Sequence, residues 1–282
     1  MIGDGARKRS RRRAEIARVS NNTTFGLHPF RGSPSGGGAL TARCELRRMK
    51  IACSSASFAP SIETGVLTQL EWLDACANEL EVDGVVFARV HFPRTDADYL
   101  AQVKKTSVDL GLTIAALAYD ASLWSAPTHE ALDMAVALGA PILIASAPQA
   151  ADDPETWGAF TDAVKHHARA AKAHNITLAL RNAPGTLCAD AAALRRLAKD
   201  VDSAWLRYAP DLSSLAPDDT APLLPKSVIA AAQIDDPIAI PRLERFRAFV
   251  LLETPTEPQP RSAYHHKLEA FRQTRLQTLT TP

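Results

Sequence analysis

The feature that most constrains the fold is an alternation between short apolar segments and longer helical ones. After residue 49, runs of small and β-branched apolar residues are separated by segments whose apolar residues recur at helical spacing. This alternation is typical of βαβ units, in which helices connect parallel strands. The predicted strands are KIACSS (50–55), DGVVFA (83–88), LTIAALA (112–118), PILIASA (141–147), TLALRN (177–182), LRYAPD (206–211), VIAAAQIDD (228–236) and FRAFVLLE (246–253).

Helices are predicted after most of these strands. Thr95 is expected to cap the second helix and Gly111 to end it. The helices expected near 217–224 and 240–245 are short and rich in proline. The longer predicted helices span residues 68–80, 96–111, 128–140, 154–175, 189–201 and 262–276.

Eight strand–helix units within one domain are the number and length expected of a (β/α)8 TIM barrel, an α/β fold. The alternative is a doubly wound open sheet. Against that alternative, no G-x-G-x-x-G motif follows any strand, and the chain has no P-loop. We therefore predict a TIM barrel.

The first 48 residues differ in composition from the rest of the chain. They carry 11 Lys and Arg against 3 Asp and Glu, whereas the remainder carries 21 basic and 28 acidic side chains. They have no apolar periodicity and are rich in glycine, which predicts a disordered basic extension (1–48) before the TIM-barrel domain (49–282). Three interpretations stay open: a start codon assigned too far upstream, a native disordered tail, and a functional basic arm.

Cysteine usage and hydropathy indicate the compartment. Cys44, Cys53, Cys76 and Cys188 show neither C-x-x-C spacing nor a histidine at zinc-finger spacing. So few cysteines in so long a chain predict reduced, structural side chains and a cytoplasmic location. No apolar run approaches the roughly 18 residues of a membrane-spanning helix, so we expect no membrane partner.

Polar side chains follow the predicted strands, at the ends where a barrel builds its site. A charged side chain at the end of a buried strand, such as Arg181 after TLAL, is costly unless it has a partner or a function. The usual polarity of loops explains part of this group of side chains. It does not explain why three strands end in a charged residue at the same level of the barrel. The residues singled out at these ends are Arg89, His91, Arg94, Arg181, Asn182, Asp211, Gln233 and Glu253.

Several of these stretches resemble the xylose-isomerase-like barrel family, which includes sugar-phosphate isomerases and epimerases. HFPRTDADYLAQVKKTSVDLGLTIAAL (91–117) is similar to the second helical unit and third strand of bacterial members. NITLALRNAPGT (175–186), LRYAPDLSSL (206–215) and FRAFVLLE (246–253) fall where that family has its metal-bearing strands five, six and eight. The resemblance implies a barrel that acts on a small sugar.

The resemblance also implies one divalent metal such as Mn or Mg, with carboxylates that move a proton between adjacent carbons. Asp211 matches the ligand that ends strand six, and Glu253 the one that ends strand eight. Arg181 occupies the place of a strand-five Glu, Gln233 that of a strand-seven His, and Ser214 that of the His in a D-x-x-H motif. Two carboxylates and an amide beside a guanidinium make a poor cation site, so we predict that the cofactor is absent and that no residue ligates a metal.

Arg181 suggests a replacement for the metal. A guanidinium can satisfy two carboxylates with directional hydrogen bonds, and a buried carboxylate without a partner is expensive. We therefore predict that Arg181 forms an internal ion pair with Asp211 and Glu253.

Two functions follow from this sequence. The first is a sugar or sugar-phosphate isomerase/epimerase, or a related aldolase-type lyase, that works without the metal. Glu253 or Asp211 would be its base, and Arg181 would stabilise an enediolate. The predicted substrate-binding residues are His91, Arg89, Arg94, Asn182 and Gln233, with Arg89 or Arg94 available for a phosphate.

The alternative is a catalytically inactive barrel that serves as a binding or scaffold protein. In both cases the expected partner is a small sugar or polyol, and a homodimer stays open. A DNA-repair endonuclease of the same superfamily would need a metal cluster with many His and carboxylate ligands. The barrel half is acidic and its histidines are misplaced for that role, so we expect no nucleic-acid partner.

Overall fold

The computed structural model describes residues 50–125, 127–151, 154–235, 243, 246–254 and 261–280. The expectations for residues 1–48 fall outside this range, as does most of the helix expected at 240–245. The strands are β1 (Lys50–Ser54), β2 (Gly84–Ala88), β3 (Thr113–Tyr119), β4 (Ile142–Ser146), β5 (Thr177–Arg181), β6 (Leu206–Tyr208), β7 (Ile229–Gln233) and β8 (Phe249–Glu253). The helices are α1 (Ala59–Glu63), α2 (Gln69–Asp74), α3 (Ala97–Asp109), α4 (Thr128–Leu138), α5 (Pro154–Ala173), α6 (Ala191–Val201), α7 (Pro217–Thr220) and α8 (Arg261–Thr280).

The eight strands form one parallel sheet in the order β6-β5-β4-β3-β2-β1-β8-β7. Strands β6 and β7 stand at its two ends and approach each other through isolated bridges, Tyr208 with Ser227 and Asp211 with Ala231. The amide of Ala231 donates to the carbonyl oxygen of Pro210 at 2.8 Å. The sheet is therefore a nearly closed barrel, which confirms the predicted fold and excludes a doubly wound sheet.

The two faces of the strands carry different side chains. Outward side chains such as Phe87, Leu117 and Leu180 belong to the main hydrophobic core with the helices. A separate inner cluster is made of Ala52, Val86, Ala115, Ala116, Ile144, Ala179, Ala209, Ile229, Ala231 and Leu251. Because most of this inner cluster is alanine, long side chains at the carboxyl end of the barrel have room to meet across its axis.

Local signals set the helix boundaries. Thr68 caps α2 in a reciprocal arrangement with Glu71, whose side chain accepts from the Thr68 amide at 2.9 Å. Asp96, and not Thr95 as predicted, caps α3, because its carboxylate accepts from the Tyr99 amide at 3.0 Å. Gly111 follows the end of α3 with φ of 71°, a conformation that costs glycine little.

The structure departs from the predicted elements at several places. The segment after β1 forms a 3₁₀ turn (Ser55–Phe58) and α1, where no helix was predicted. The predicted helix 68–80 is α-helical to Asp74 and then π-helical over Ala75–Glu79. β6 ends at Tyr208, earlier than predicted, because Pro210 has no amide hydrogen to extend a ladder.

Strands β7 and β8 are also shorter than predicted, since they span five residues each. In the described part of the chain, every helix is too short or too polar to cross a bilayer.

Candidate functional site

The carboxyl end of each strand contributes one inward-facing position to a ring that we call the mouth. Side chains paired in register across parallel strands, or two residues apart along a strand, share a face. Register pairs such as Ala88 with Ala118, Ser146 with Arg181 and Gln233 with Glu253 identify this face. The mouth positions in strand order are Ser54, Ala88, Ala118, Ser146, Arg181, Asp211, Gln233 and Glu253.

The mouth is asymmetric. Strands β1 to β4 contribute only alanine and serine, whereas β5 to β8 contribute two carboxylates, one guanidinium and one amide. All the formal charge of the mouth therefore lies on one side. Ala88, Ala118 and Ser146 on the opposite side are partly exposed, so this half of the mouth is open to solvent.

Arg181 is the centre of the charged side. Its Nη1 donates to Glu253 Oε1 at 2.8 Å, and its Nη2 donates to Glu253 Oε2 at 2.6 Å. The same Nη2 donates to Asp211 Oδ2 at 2.6 Å. The predicted ion pairs are thus confirmed. The contact with Glu253 is bidentate, which is the geometry that makes guanidinium–carboxylate pairs strong.

These three side chains are largely removed from solvent. The exposed fraction is 24% for Arg181, 15% for Asp211 and 12% for Glu253. Burial alone would lower the pKa of Arg181, but the two carboxylates outweigh it and hold the pKa above its ordinary value. Arg181 is therefore a fixed positive charge at any physiological pH.

A second set of bonds fixes Asp211. Its Oδ1 accepts from the amide of Ser213 at 3.1 Å and from the Ser213 hydroxyl at 2.6 Å. Asn182, which is fully buried, accepts from the Asp211 amide at 2.8 Å and donates to the Ser214 hydroxyl at 2.8 Å. Asn182 thus positions the Asp211 loop, and its predicted contact with substrate stays a prediction.

Ser213 is a part of this site that the sequence did not single out. The Asp-x-Ser spacing could have indicated this contact, because an aspartate side chain commonly accepts a hydrogen bond from the amide two residues later. As a result, every carboxylate oxygen of Asp211 and Glu253 already accepts a hydrogen bond from protein.

Gln233 stands beside Glu253 in the sheet register. Its Oε1 is buried and has no hydrogen-bond partner among the described residues. The structure therefore brings Gln233 together with the charged cluster and leaves its amide with unused bonding capacity.

The three residues predicted after β2 make their contacts elsewhere. His91 is buried, with Nδ1 at 2.8 Å from Ser55 Oγ and Nε2 at 3.8 Å from Glu63 Oε1. Burial lowers its pKa, and Glu63 opposes this only in part. The contacts of His91 thus tie together the segments that follow β1 and β2.

The two arginines after β2 have different surroundings. Arg89 lies beside Tyr119, where burial raises the pKa of the phenol and the guanidinium partly offsets it. Arg94 is well exposed, pairs with Asp96 at 3.4 Å and lies over the Tyr99 ring. None of the hydrogen bonds or ion pairs of the described residues joins Arg94 to Arg181, Asp211 or Glu253.

A divalent metal does not fit the charged side of the mouth. No group of three or more His, Cys, Asp or Glu side chains converges on one point in the described part of the chain. The two carboxylates that do converge are already bonded to a guanidinium. To bind a divalent ion, both carboxylates would have to give up hydrogen bonds to Arg181, and the ion would then lie beside a fixed positive charge.

Residues 75–243 match the family model described as xylose isomerase-like TIM barrel. The chain belongs to the xylose isomerase-like TIM barrel family. This agrees with the strand order and with the site at the carboxyl ends of the strands, and it confirms the resemblance inferred from sequence. No curated protein sequence matches the chain significantly.

Solved structures of other xylose isomerase-like barrels share the fold. The probable 3-DHS dehydratase AsbF of Bacillus anthracis superposes with a TM-score of 0.66 at 13% identity, over 79% of this chain and 99% of that one. D-psicose 3-epimerase of Clostridium cellulolyticum H10, solved with D-tagatose, gives 0.65 at 13% identity, over 83% and 100%.

A third structure, a xylose isomerase-like TIM barrel protein from Mycobacterium smegmatis in complex with magnesium, gives a TM-score of 0.63 at 18% identity. It covers 83% of this chain and 98% of its own. At such identities the likeness shows the fold. Proteins with this fold thus include a sugar epimerase and a probable dehydratase.

Proposed function

We propose that the mouth binds a small sugar or polyol, and that Arg181 supplies there the positive charge that a divalent metal would otherwise supply. The observation that carries this proposal is the ion-pair cluster of Arg181, Asp211 and Glu253 beside an open half of the mouth. The cluster presents fixed donors and acceptors in a partly desolvated place, which is how proteins recognise hydroxyl-rich ligands.

Arg181 retains bonding capacity for such a ligand. A guanidinium has five N–H donors, and among the described residues Arg181 uses Nη1 once and Nη2 twice. Its Nε and the second Nη1 hydrogen are left for a ligand oxygen. The unpaired Gln233 Oε1 can accept from a hydroxyl group once its side chain moves toward the ligand.

The shape of the mouth supports a sugar-sized ligand. Ala88 and Ala118 have small side chains and are partly exposed, so a ligand that reaches Arg181 from this side meets no long mouth side chain from β2 or β3. The related fold of D-psicose 3-epimerase was solved with D-tagatose, and another relative is an L-ribulose 3-epimerase. These relatives make ketoses the first ligands to test.

Turnover as an isomerase or epimerase is the second candidate function. Glu253 would take a proton from the carbon next to a carbonyl, Arg181 would stabilise the enediolate oxygen, and the proton would return to the neighbouring carbon or the other face. Both oxygens of Glu253 accept hydrogen bonds from Arg181. Glu253 must therefore break one of these bonds before it can accept a proton from a substrate. Binding without turnover is therefore the better-supported function.

Calorimetric titration of the full chain with D-tagatose, D-psicose, L-ribulose and glycerol, in the presence of EDTA, tests the proposal. We expect a ketose to bind and Ala118→Phe, which fills the open half of the mouth, to abolish binding. Lys105→Met is the matched control, because it removes an exposed cation of α3 and should leave binding unchanged. Binding that requires added Mn²⁺, or that survives Ala118→Phe, would refute the proposal.

Proton NMR in D₂O distinguishes the two candidate functions. Turnover would exchange the proton next to the ketose carbonyl, and Glu253→Gln would stop this exchange while leaving bound ketose detectable. Bound ketose without exchange in the wild type supports a binding protein.

We further propose that the protein acts in the cytoplasm on small molecules and not on nucleic acid. In support, Cys53, Cys76 and Cys188 are free and buried thiols.

A further inference from the structure

A second cavity lies outside the mouth, beside α1 and the first residues of α2 and α3. Its volume is about 650 Å³, within the range of small-molecule sites, and no mouth residue lines it. Its apolar lining includes Ile62, Leu70, Val90 and Pro93. Val90 is 69% exposed, so this apolar wall is open to a ligand from solvent.

One buried polar group in the cavity wall has an unused donor. Gln69 lines the cavity and is only 3% exposed. Its Oε1 accepts from the Tyr99 hydroxyl at 2.9 Å, whereas its Nε2 has no partner among the described residues. If the amide is turned by half a rotation, the same hydroxyl can accept from Nε2, and the unpaired atom is then the oxygen.

Such a group is costly in a purely structural role. A buried polar atom without a hydrogen bond destabilises the fold, and a leucine at this position would fill similar space without that cost. A ligand oxygen that accepts from Nε2, after a small rotation of the amide, supplies the missing partner.

The charges around the cavity restrict what this ligand can be. Among the described residues, Glu63 is the one carboxylate in the lining, and no lysine or arginine is found there. His91 also lines the cavity, but burial lowers its pKa, which favours the neutral imidazole. Arg94 contacts the ring of Tyr99, but it is paired with Asp96 and is not in the lining. An anionic ligand would therefore meet repulsion without a compensating cation.

We propose that this cavity is a binding site for a small uncharged molecule with an apolar body and one carbonyl or hydroxyl oxygen, which accepts a hydrogen bond from Gln69. The apolar body covers Val90 and Leu70, and the oxygen reaches the buried amide. This site is separate from the mouth and does not depend on the function proposed for it.

Three matched probes test the proposal by NMR titration of the full chain: benzamide, which is neutral and has an acceptor, toluene, which has none, and benzoate, which is anionic. Benzamide should shift the resonances of Val90 and bind about fivefold more tightly than toluene, the factor that corresponds to about 1 kcal/mol for one hydrogen bond. Benzoate should bind more weakly than benzamide because of Glu63.

The variant Gln69→Leu with Tyr99→Phe removes the amide and its hydroxyl partner together, so no polar group is left unpaired and the fold is preserved. It should reduce the affinity for benzamide to that for toluene and leave toluene binding unchanged. Ala118→Phe is the control, because it closes the mouth and should not alter benzamide binding. Equal affinities of the wild type for benzamide and toluene, or loss of benzamide binding in Ala118→Phe, would overturn the proposal.

Discussion

A single guanidinium determines the electrostatics of the mouth. Arg181 neutralises Glu253 and Asp211 at once, and neither carboxylate has another cationic partner among the described residues. Its removal would leave two negative charges close together in a place with little solvent. The cluster should therefore respond to substitution as one unit.

Arg181→Met should lower the free energy of unfolding by about 2–4 kcal/mol, somewhat below the cost of breaking a fully buried pair because the side chains keep a little exposure. Urea denaturation at neutral pH measures this loss. The matched control is Arg94→Met, whose pair with Asp96 is more than half exposed on both sides and should cost less than about 1 kcal/mol. Equal losses in the two variants would contradict this account of the cluster.

Arg181→Glu should place three carboxylates where the family resemblance implies a metal. Without metal, this variant should be less stable than Arg181→Met, since three like charges converge. Addition of Mn²⁺ should restore stability and give stoichiometric binding in metal analysis, whereas the wild type should show neither effect. A variant that Mn²⁺ does not stabilise would show that the remaining geometry is unsuited to a metal.

At the scale of single elements, β2 begins where two neighbours approach its backbone closely. A Cβ added at Gly84 would lie 2.6 Å from the carbonyl oxygen of Thr113 and 2.8 Å from Cε1 of Phe249. Thr113 belongs to the adjacent strand β3, and its oxygen is backbone that cannot rotate away. Any side chain at this position must therefore displace a strand.

Gly84→Ala should destabilise the protein by about 1–3 kcal/mol, the usual cost of overpacking. Gly158→Ala is the opposite case, because Gly158 lies in α5 with nothing within 4 Å of an added Cβ. It should stabilise the protein by about 0.5–1 kcal/mol through helix propensity. Thermal unfolding of both variants would show shifts of opposite sign, and shifts of the same sign would refute this description.

The sequence predicts those elements whose boundaries are determined by neighbouring residues, and it misses those that depend on packing. The strands followed from apolar runs, and the helix ends followed from residues such as Gly111. Helix α1 was missed because SASFAPSIE has no apolar periodicity, so its helix depends on packing after β1. The cap of α3 was misplaced by one residue because Thr95 and Asp96 are both good capping residues, and only the backbone decides between them.

The site was predictable to a similar extent. Arg181, Asp211 and Glu253 were expected to meet because barrel topology brings the ends of β5, β6 and β8 to one place. The bonds of Asn182 to the Asp211 loop were not predictable, since they depend on the path of the backbone there. The cavity beside Gln69 involves residues far apart in sequence, and no local pattern indicates it.

For the whole molecule, two buried histidines couple stability to pH. Burial lowers the pKa of His91, and it also lowers the pKa of His167, whose Nδ1 bonds the carbonyl oxygen of Ala163 at 2.9 Å. In the unfolded chain both should titrate near about 6.5. As the pH falls below that value, the unfolded state gains protons before the folded state does, and the folded state becomes relatively less stable.

The free energy of unfolding should therefore begin to fall as the pH drops toward about 6.5, the unfolded-state pKa, and this loss should level off below the folded-state pKa values. Urea titrations at several pH values measure the slope. In the double variant His91→Gln with His167→Gln the slope over this range should be smaller, even if the variant is less stable at every pH. An unchanged slope would mean that other groups carry the pH dependence.

The ion pairs of Arg181 also bear on how this sequence can evolve. A change of position 181 to an acidic residue would remove two ion pairs and add a third negative charge, so the resulting protein would be less stable unless a metal is bound. Compensating changes at 211 or 253 would in turn remove the ligands such a metal needs. A sequence change that introduces a metal site at this end of the barrel would therefore have to pass through a less stable protein.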